Sequence, residues 1–572
     1  MPAIVVFIAV LSIFAVAYRF YATYLAEKVY ALDPDFVTPA HEFEDGVDYV
    51  PTNKHVLFGH HFTSIAGAAP IVGPAIAVVW GWVPALFWIV VGTVFAAGVH
   101  DTGSIVVSVR NKATNIGTLA QSVINPRSRT LFLAVIFFLL TLVNAVFAIV
   151  IGTLFVSNPE AVIPITLEIP LAIFIGQYIH RTRTSALVPS IVGVIVLYAM
   201  ILVGLSYPID LAPLAEGIGM SARTLWILLL FIYGWIASRI PVWVLLQPRD
   251  YINSHQLFIA LGVIGFGVII GFDTIAAPAF NSVAGNRNWF PFLFVTIACG
   301  AVSGFHSLVS SGTTSKQLDR DTDAKYVGYM GSLGEGALAL CAVLATTAGI
   351  GIVGLDWNEQ YADFGTASSG ALGNFVQGVA GFASNLGVPI DYGTAFASVV
   401  VISFAATTLD TGIRLQRYII QEVGEIVDSR PLSKNINLVT TLAVVFPLAL
   451  ALAPSGGGEG DTLAFGRLWT LFGTTNQLTA GLALAVIAVW VTKQGRNAMA
   501  QIIPLAFLLF MTVWALFINL QEFVSNGDWL LAPLDLIILV LAGWLIVEAV
   551  LAIRGARSEA ATAVESPADD RS

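Results

Sequence analysis

From Pro2 to Ile553 the sequence is a succession of apolar runs separated by short polar connections. A bilayer core about 30 Å thick takes roughly 20 apolar residues per helix, and run after run reaches that length. In hydrocarbon every backbone N–H and C=O must be satisfied within the protein, so such a chain is confined to a bundle of spanning helices. Composition agrees. Of 572 residues, 57% are hydrophobic and 11% charged, and the mean hydropathy of +0.83 lies outside the range of soluble domains. No large soluble domain fits between the runs. The net charge of −10 argues against a nucleic-acid partner.

Setting the runs against the basic loops predicts an all-α polytopic membrane protein of about fifteen transmembrane helices. They fall near 2–20, 56–80, 84–107, 130–156, 162–179, 185–206, 222–246, 257–276, 290–312, 331–354, 391–410, 435–452, 467–492, 500–520 and 531–553. Arg and Lys gather in alternate connections, for example Arg110, Lys112, Arg127 and Arg129, then Arg249, then Lys316, Arg320 and Lys325. The positive-inside rule makes these cytoplasmic, with the N-terminus outside and the C-terminus inside. The first helix lacks a basic n-region and a small-residue cleavage site and reads as a retained span. Four segments follow: 1–50, the first helix and a cytoplasmic loop; 51–425, the core; 426–555, C-terminal helices; and 556–572, a polar acidic tail expected to be disordered.

The second run is poorly made for a helix. "GHHFTSIAGAAPIVGPAIAVV" is interrupted by Gly67, Pro70, Gly73 and Pro74, and such breaks are tolerated only where the freed backbone faces protein or a watery cavity. Transporters place substrates at unwound segments, where half-helix ends offer amides to anions and carbonyls to cations. Helix packing at the glycines is the structural alternative. Five helices later, in the opposite direction, "YGWIASRIPVWVLLQPRDY" carries Gly234, Ser238, Arg239 and Pro241. That offset is the mark of an inverted repeat with two discontinuous helices.

The blocks "PTNKHVLFGHHFTSIAGAAPIVGPAIA", "PVWVLLQPRDY", "PFLFVTIACGAVSGFHSLVSSGTTSKQL", "TLDTGIRLQRYIIQE" and "LWTLFGTTNQL" resemble the carbon starvation protein A (CstA) family. The resemblance runs from about Pro51 to Gln477. It implies a nutrient transporter of the prokaryotic cytoplasmic membrane, for peptides or, in some members, for pyruvate with proton coupling. It also implies kinship with the amino acid–polyamine–cation transporters, whose core is the LeuT-type inverted repeat, with peripheral helices around it. On that basis 56–80 is the first core helix, 222–246 the sixth and 290–312 the eighth.

Candidate substrate contacts are Ser64, Gly67, Ala68 and Gly73 in the first broken helix, Ser238 and Arg239 in the second, and Ser303 and His306 in the eighth. The guanidinium of Arg239 suits a carboxylate in a bidentate fork; the alternative is a pairing with a buried carboxylate such as Glu168 or Glu335. Ser310, Ser311, Thr313 and Thr314 can supply oxygens to a sodium ion, or can turn their hydroxyls onto the preceding turn of their own helix. His60, His61 and His306 titrate near neutral pH, and Glu335 is the preferred mid-span carboxyl to carry a coupling proton. Each histidine has the alternative of satisfying a backbone carbonyl. Asn476 and Gln477 read as interhelical glue.

Other patterns are set aside. "DTG" at Asp101–Gly103 and Asp410–Gly412 reads as two helix ends with glycine C-caps, Asp410 pairing with Arg414 one turn on. "GEGD" at 458–461 falls in an external loop. Cys299 and Cys341 are expected to be packing residues, and neither a phosphate-binding loop nor a metal motif points to a cofactor. The segment from Gly365 to Gly393 has amphipathic spacing and is expected to hold a short helix over the outer mouth. The reading is a secondary transporter of pyruvate, peptides or amino acids, driven by H⁺ or Na⁺. The alternative is a nutrient-binding membrane sensor.

Overall fold

The computed structural model describes residues 1–46, 48–182, 184–282, 287–453 and 462–565. Apart from two isolated β-bridges, the regular structure described is helical. Among the described residues eleven helices are long and apolar enough to cross a membrane, and a bent pair brings them to as many as twelve. In chain order the elements are α1 (Ala3–Val29), the bent pair α2 (Lys54–Ile65) and α3 (Ala69–Trp80), α4 (Trp82–Arg110), α5 (Pro126–Ser157), α6 (Pro159–Thr182), α7 (Leu187–Ser206), α8 (Ala222–Ala237) and α9 (Leu246–Gly271). Next come α10 (Trp289–Thr296), α11 (Phe305–Gly312), α12 (Asp321–Ile352), α13 (Phe364–Ser384), α14 (Ile390–Ile426), α15 (Ile436–Ala451), α16 (Phe465–Lys493), α17 (Met499–Ser525) and α18 (Leu531–Glu565).

The expected break in the second run is present. α2 and α3 meet at 52°. Ala66 leaves the helical region at φ −82°, ψ 63°, and Pro70, in the first turn of α3, has no N–H to carry a ladder back across the gap. Glycine is required here by contact. A Cβ on Gly67 would come within 2.7 Å of Thr408 Oγ1 in α14, and one on Gly73 would run into the backbone carbonyl of Thr296.

That second contact identifies the partner of the broken helix, and it corrects the expected one. α3 packs on α10 and on Ala298–Ala301, and α2 packs on α11. The segment 289–312 is itself interrupted, at Ile297 (ψ 25°) and at Val302 (φ −165°, ψ 122°). Asn476 of α16 fills this break, its Oδ1 accepting from Phe305 N at 3.1 Å and its amide reaching Ser303 Oγ at 3.2 Å. The stretch 222–246 does something else. α8 ends at Ala237 and packs mainly on α5 and α15, and residues 238–245 turn the chain into α9. Gly234 and Pro241 therefore mark close packing and a turn between helices.

Around the interrupted pair lie α4, α12 and the long helix α14, and α9, which packs on α2 and α14; α5 packs on α14 and α16. α13 occupies the segment where an amphipathic helix was expected and lies against α3 and α14. α1 packs on α12 and α9, and α16–α18 form a sub-bundle against α4 and α5. The helix of α18 continues to Glu565, past residue 556 where the disordered tail was expected to begin. Residues 566–572 and the "GEGD" at 458–461 lie outside the described residues.

Candidate functional site

Two of the most expensive groups a membrane protein can bury, Asp101 and Asp410, sit far inside their helices. Asp101 follows nineteen residues of α4 and is followed by Ile105, Val106 and Val107; it is fully buried. Its Oδ1 lies 2.7 Å from His100 Nδ1. Its Oδ2 accepts from Ser332 Oγ of α12 at 2.7 Å and lies 2.9 Å from His306 Nδ1 of α11. On the other side of the same ring, His306 Nε2 is 3.2 Å from Glu335 Oε1 of α12, close but out of hydrogen-bond alignment. Both ring nitrogens of His306 thus face a carboxyl oxygen, so protons must occupy these gaps for the group to be stable in a low dielectric.

His61 of α2 completes the cluster. Its Nδ1 is 2.9 Å from Thr314 Oγ1, while its Nε2 is buried without a partner. Gly331 leaves room for the ring, since a Cβ there would stand 2.8 Å from His61 Cδ2. The helices that carry the acids are locally widened into π turns just ahead of the cluster, at Thr93–Ala97 in α4 and Lys325–Tyr329 in α12. Each turn inserts a residue into the helical ladder and re-aims the side chains that follow, a device common at functional sites. Tyr329 ties the two together by donating to Val94 O at 2.9 Å.

A second buried cluster joins α6, α8, α9 and α14. Arg249, 1% exposed, donates from Nε to Glu168 Oε1 at 3.2 Å and from Nη1 to Asp410 Oδ2 at 2.7 Å. Tyr233 Oη donates to the same Asp410 oxygen at 2.7 Å, and Ser403 Oγ to Glu168 Oε2 at 2.8 Å. Asn253 extends the ladder to Thr407 Oγ1 at 2.6 Å. Among the described residues, no three of His, Cys, Asp and Glu converge as ligands for a metal ion.

The sequence-derived candidates divide accordingly. His61, His306 and Glu335 come together, with Thr314 beside them. His60, Ser64 and Gly67 are half-buried along α2, Ala68 is buried at the break, and Ser64 Oγ is turned back to His60 O. Ser303 serves the Asn476 contact. Ser311 and Thr313 donate to carbonyls of their own helix, Ser307 O and Val309 O, and Ser310 Oγ is buried without a partner. Arg239 is placed elsewhere: it is exposed after the end of α8, its guanidinium 4.5 Å from the ring centroid of Trp235, as suits an arginine reaching toward the membrane interface. Ser238 is buried at the same helix end and bonds Trp235 O.

Asp101, His100, Asp410 and Arg249 were not among the candidates. The glycines of both "DTG" triplets are mid-helix: Gly103 abuts Tyr30 and Ile487, and Gly412 abuts Asn144. Asp410 takes Arg249 and Tyr233, while Arg414 instead caps α8, donating to Ala237 O and Ile240 O at 2.8 and 2.6 Å. Arg249, counted with the cytoplasmic loops, is the buried partner of Glu168. The signal available was the apolar sequence on both sides of each acid, which a helix end does not have.

A polytopic helical bundle with interrupted helices and ionisable groups buried beside them is the architecture of membrane transporters. The chain belongs to the carbon starvation protein CstA family, whose profile matches residues 2–351 and 356–515. It is 34% identical over 598 residues to the peptide transporter CstA of Bacillus subtilis, covering 96% of this chain and 97% of that one. It is 31% identical to the pyruvate/proton symporter BtsT of Escherichia coli, covering 91% and 81%. Among solved structures, a manganese transporter of Eremococcus coleocola shares the fold at a TM-score of 0.50 and 13% identity, over 90% of this chain and 99% of that one.

Proposed function

We propose that this protein is a proton-coupled secondary transporter of small carboxylated nutrients, pyruvate or peptides, working by alternating access. The observation that carries the reading is His306 held between Asp101 and Glu335 at the junction of both interrupted helices. Protons in such a cluster exchange only when helices part, which ties protonation to conformation. The names of the relatives support both substrate classes. Proton coupling is favoured over sodium by the titratable groups themselves, a histidine between two buried carboxyl groups, which give a proton a place to bind.

The helix order supports an inverted repeat with different members from those the sequence suggested. Interrupted helix α2–α3, span α4, the short helix Ile116–Val123 and long helix α5 are echoed by 289–312, α12, α13 and α14. Counting α8, α15 and 289–312 with the twelve gives fifteen crossings, an external N-terminus and a cytoplasmic C-terminus. Substrate sits at the break around Gly67 and Ala68, beside half-buried Ser64 and Thr408.

Uptake of labelled pyruvate and of a labelled dipeptide into proteoliposomes, with imposed proton or sodium gradients, tests the reading. Gradient-driven accumulation of either with protons supports it. Equal accumulation with sodium alone overturns the coupling, and binding without movement would leave the sensor.

A further inference from the structure

The second cluster does not balance. Glu168 and Asp410 are 0% and 1% exposed, and they share one guanidinium, that of Arg249. Asp250 and Arg414 are the next charges within electrostatic reach. Three carboxyl groups then face two guanidinium groups. Arg417 points on, over the ring of Tyr418 at 4.8 Å, and α5 faces this stretch of α14 with Thr141 and Asn144, neither of which titrates. A net negative charge on groups as buried as Glu168 and Asp410 is unfavourable.

The hydrogen bonds show where the imbalance falls. Asp410 Oδ2 receives both Tyr233 and Arg249, whereas Oδ1 is buried with no partner. Asp250 Oδ1 is likewise buried and unpartnered, in a side chain that is otherwise half-exposed. We propose that the Glu168–Arg249–Asp410 cluster is a second proton-binding site, with Asp410 Oδ1 holding the proton and Asp250 as its port. The site is separate from the Asp101–His306–Glu335 cluster and shares no residue with it: it lies where α9 meets α6 and α14. The inference takes its meaning from the transport reading above. Two such sites give a transporter that moves an additional proton per substrate, released when α9 separates from α14 and Arg249 leaves Asp410.

The test is infrared difference spectroscopy on the purified full-length protein, read at the carbonyl stretch of a protonated carboxyl. Wild type minus Asp410→Asn is expected to show that band at neutral pH. Glu168→Gln, which removes the excess charge from the other side of Arg249, is expected to lose it as well. No band in the first difference, or a band that survives Glu168→Gln, overturns the proposal; should Asp410→Asn not fold, Glu168→Gln and Asp250→Asn carry the same comparison. In vesicles, dropping one proton per cycle lowers steady-state accumulation about tenfold per pH unit of gradient. No band in the first difference, with gradient-driven uptake intact in the wild type, removes this site and spares the transport reading. A band with no proton-driven uptake does the reverse.

Discussion

At the scale of single residues, the cluster around His306 makes demands that differ from side chain to side chain. Asp101→Asn keeps the shape and the bond from Ser332 but removes the charge that faces two imidazoles. Proton-driven uptake is expected to collapse to the level set by the substrate gradient alone, a loss of about tenfold per pH unit, while exchange of labelled for unlabelled substrate across the membrane persists. Equal losses of both would make Asp101 a structural residue. Arg239→Ala, at the interface over Trp235, is expected to leave uptake unchanged. His61, His306 and Glu335 were legible in the sequence as ionisable groups in apolar surroundings. Asp101 and Asp410 met the same criterion, but glycine two residues later made each resemble a helix end. What the sequence does not carry is depth: in α4 and α14 the helix runs on past the glycine, and the glycine serves a neighbour, Tyr30 in one case and Asn144 in the other.

At the scale of elements, the interrupted helices touch through backbone. Gly73 of α3 meets the carbonyl of Thr296, and Gly300 meets Pro74 Cγ at 2.9 Å. Gly73→Ala is expected to force α3 and α10 apart at about 1–3 kcal/mol, seen as a lower thermal midpoint and slower uptake. Gly262→Ala in α9 is its control. No atom stands within 4 Å of a Cβ there, so the helix gains up to about 1 kcal/mol and uptake is expected to hold. A fall in the midpoint for both would mean that glycine substitution as such is harmful, not the contact. The first break was readable because Gly67 and Pro70 interrupt an otherwise uniform run. Its partner was not, because 289–312 reads as an ordinary apolar helix. Its break is imposed from outside by Asn476, and only packing shows which glycines of α3 face it.

At the scale of the whole molecule, charge and hydropathy decide more than any motif does. Among the described residues up to twelve crossings follow from length and apolarity alone, and the alternation of basic connections predicts their direction. Three of the basic residues counted with the cytoplasmic connections, Arg249, Arg414 and Arg417, turn out to be held inside the protein, with exposures of 1%, 8% and 6%. The alternation survives their removal, because Arg430 and Lys434 remain beyond α14 and Arg239 remains in the turn between α8 and α9. The orientation is therefore open to direct measurement. Cys299 and Cys341 are buried and unpaired, so a cysteine placed in a loop is the one that a membrane-impermeant maleimide reaches. Asn358→Cys, before α13, is expected to label in intact cells. Arg557→Cys, beyond the apolar part of α18, is expected to label only after permeabilisation. The opposite pattern would invert the molecule. It would place the half-buried face of α2, with His60 and Ser64, toward the outside, while the direction of driven transport, set by the proton gradient itself, would stay the same.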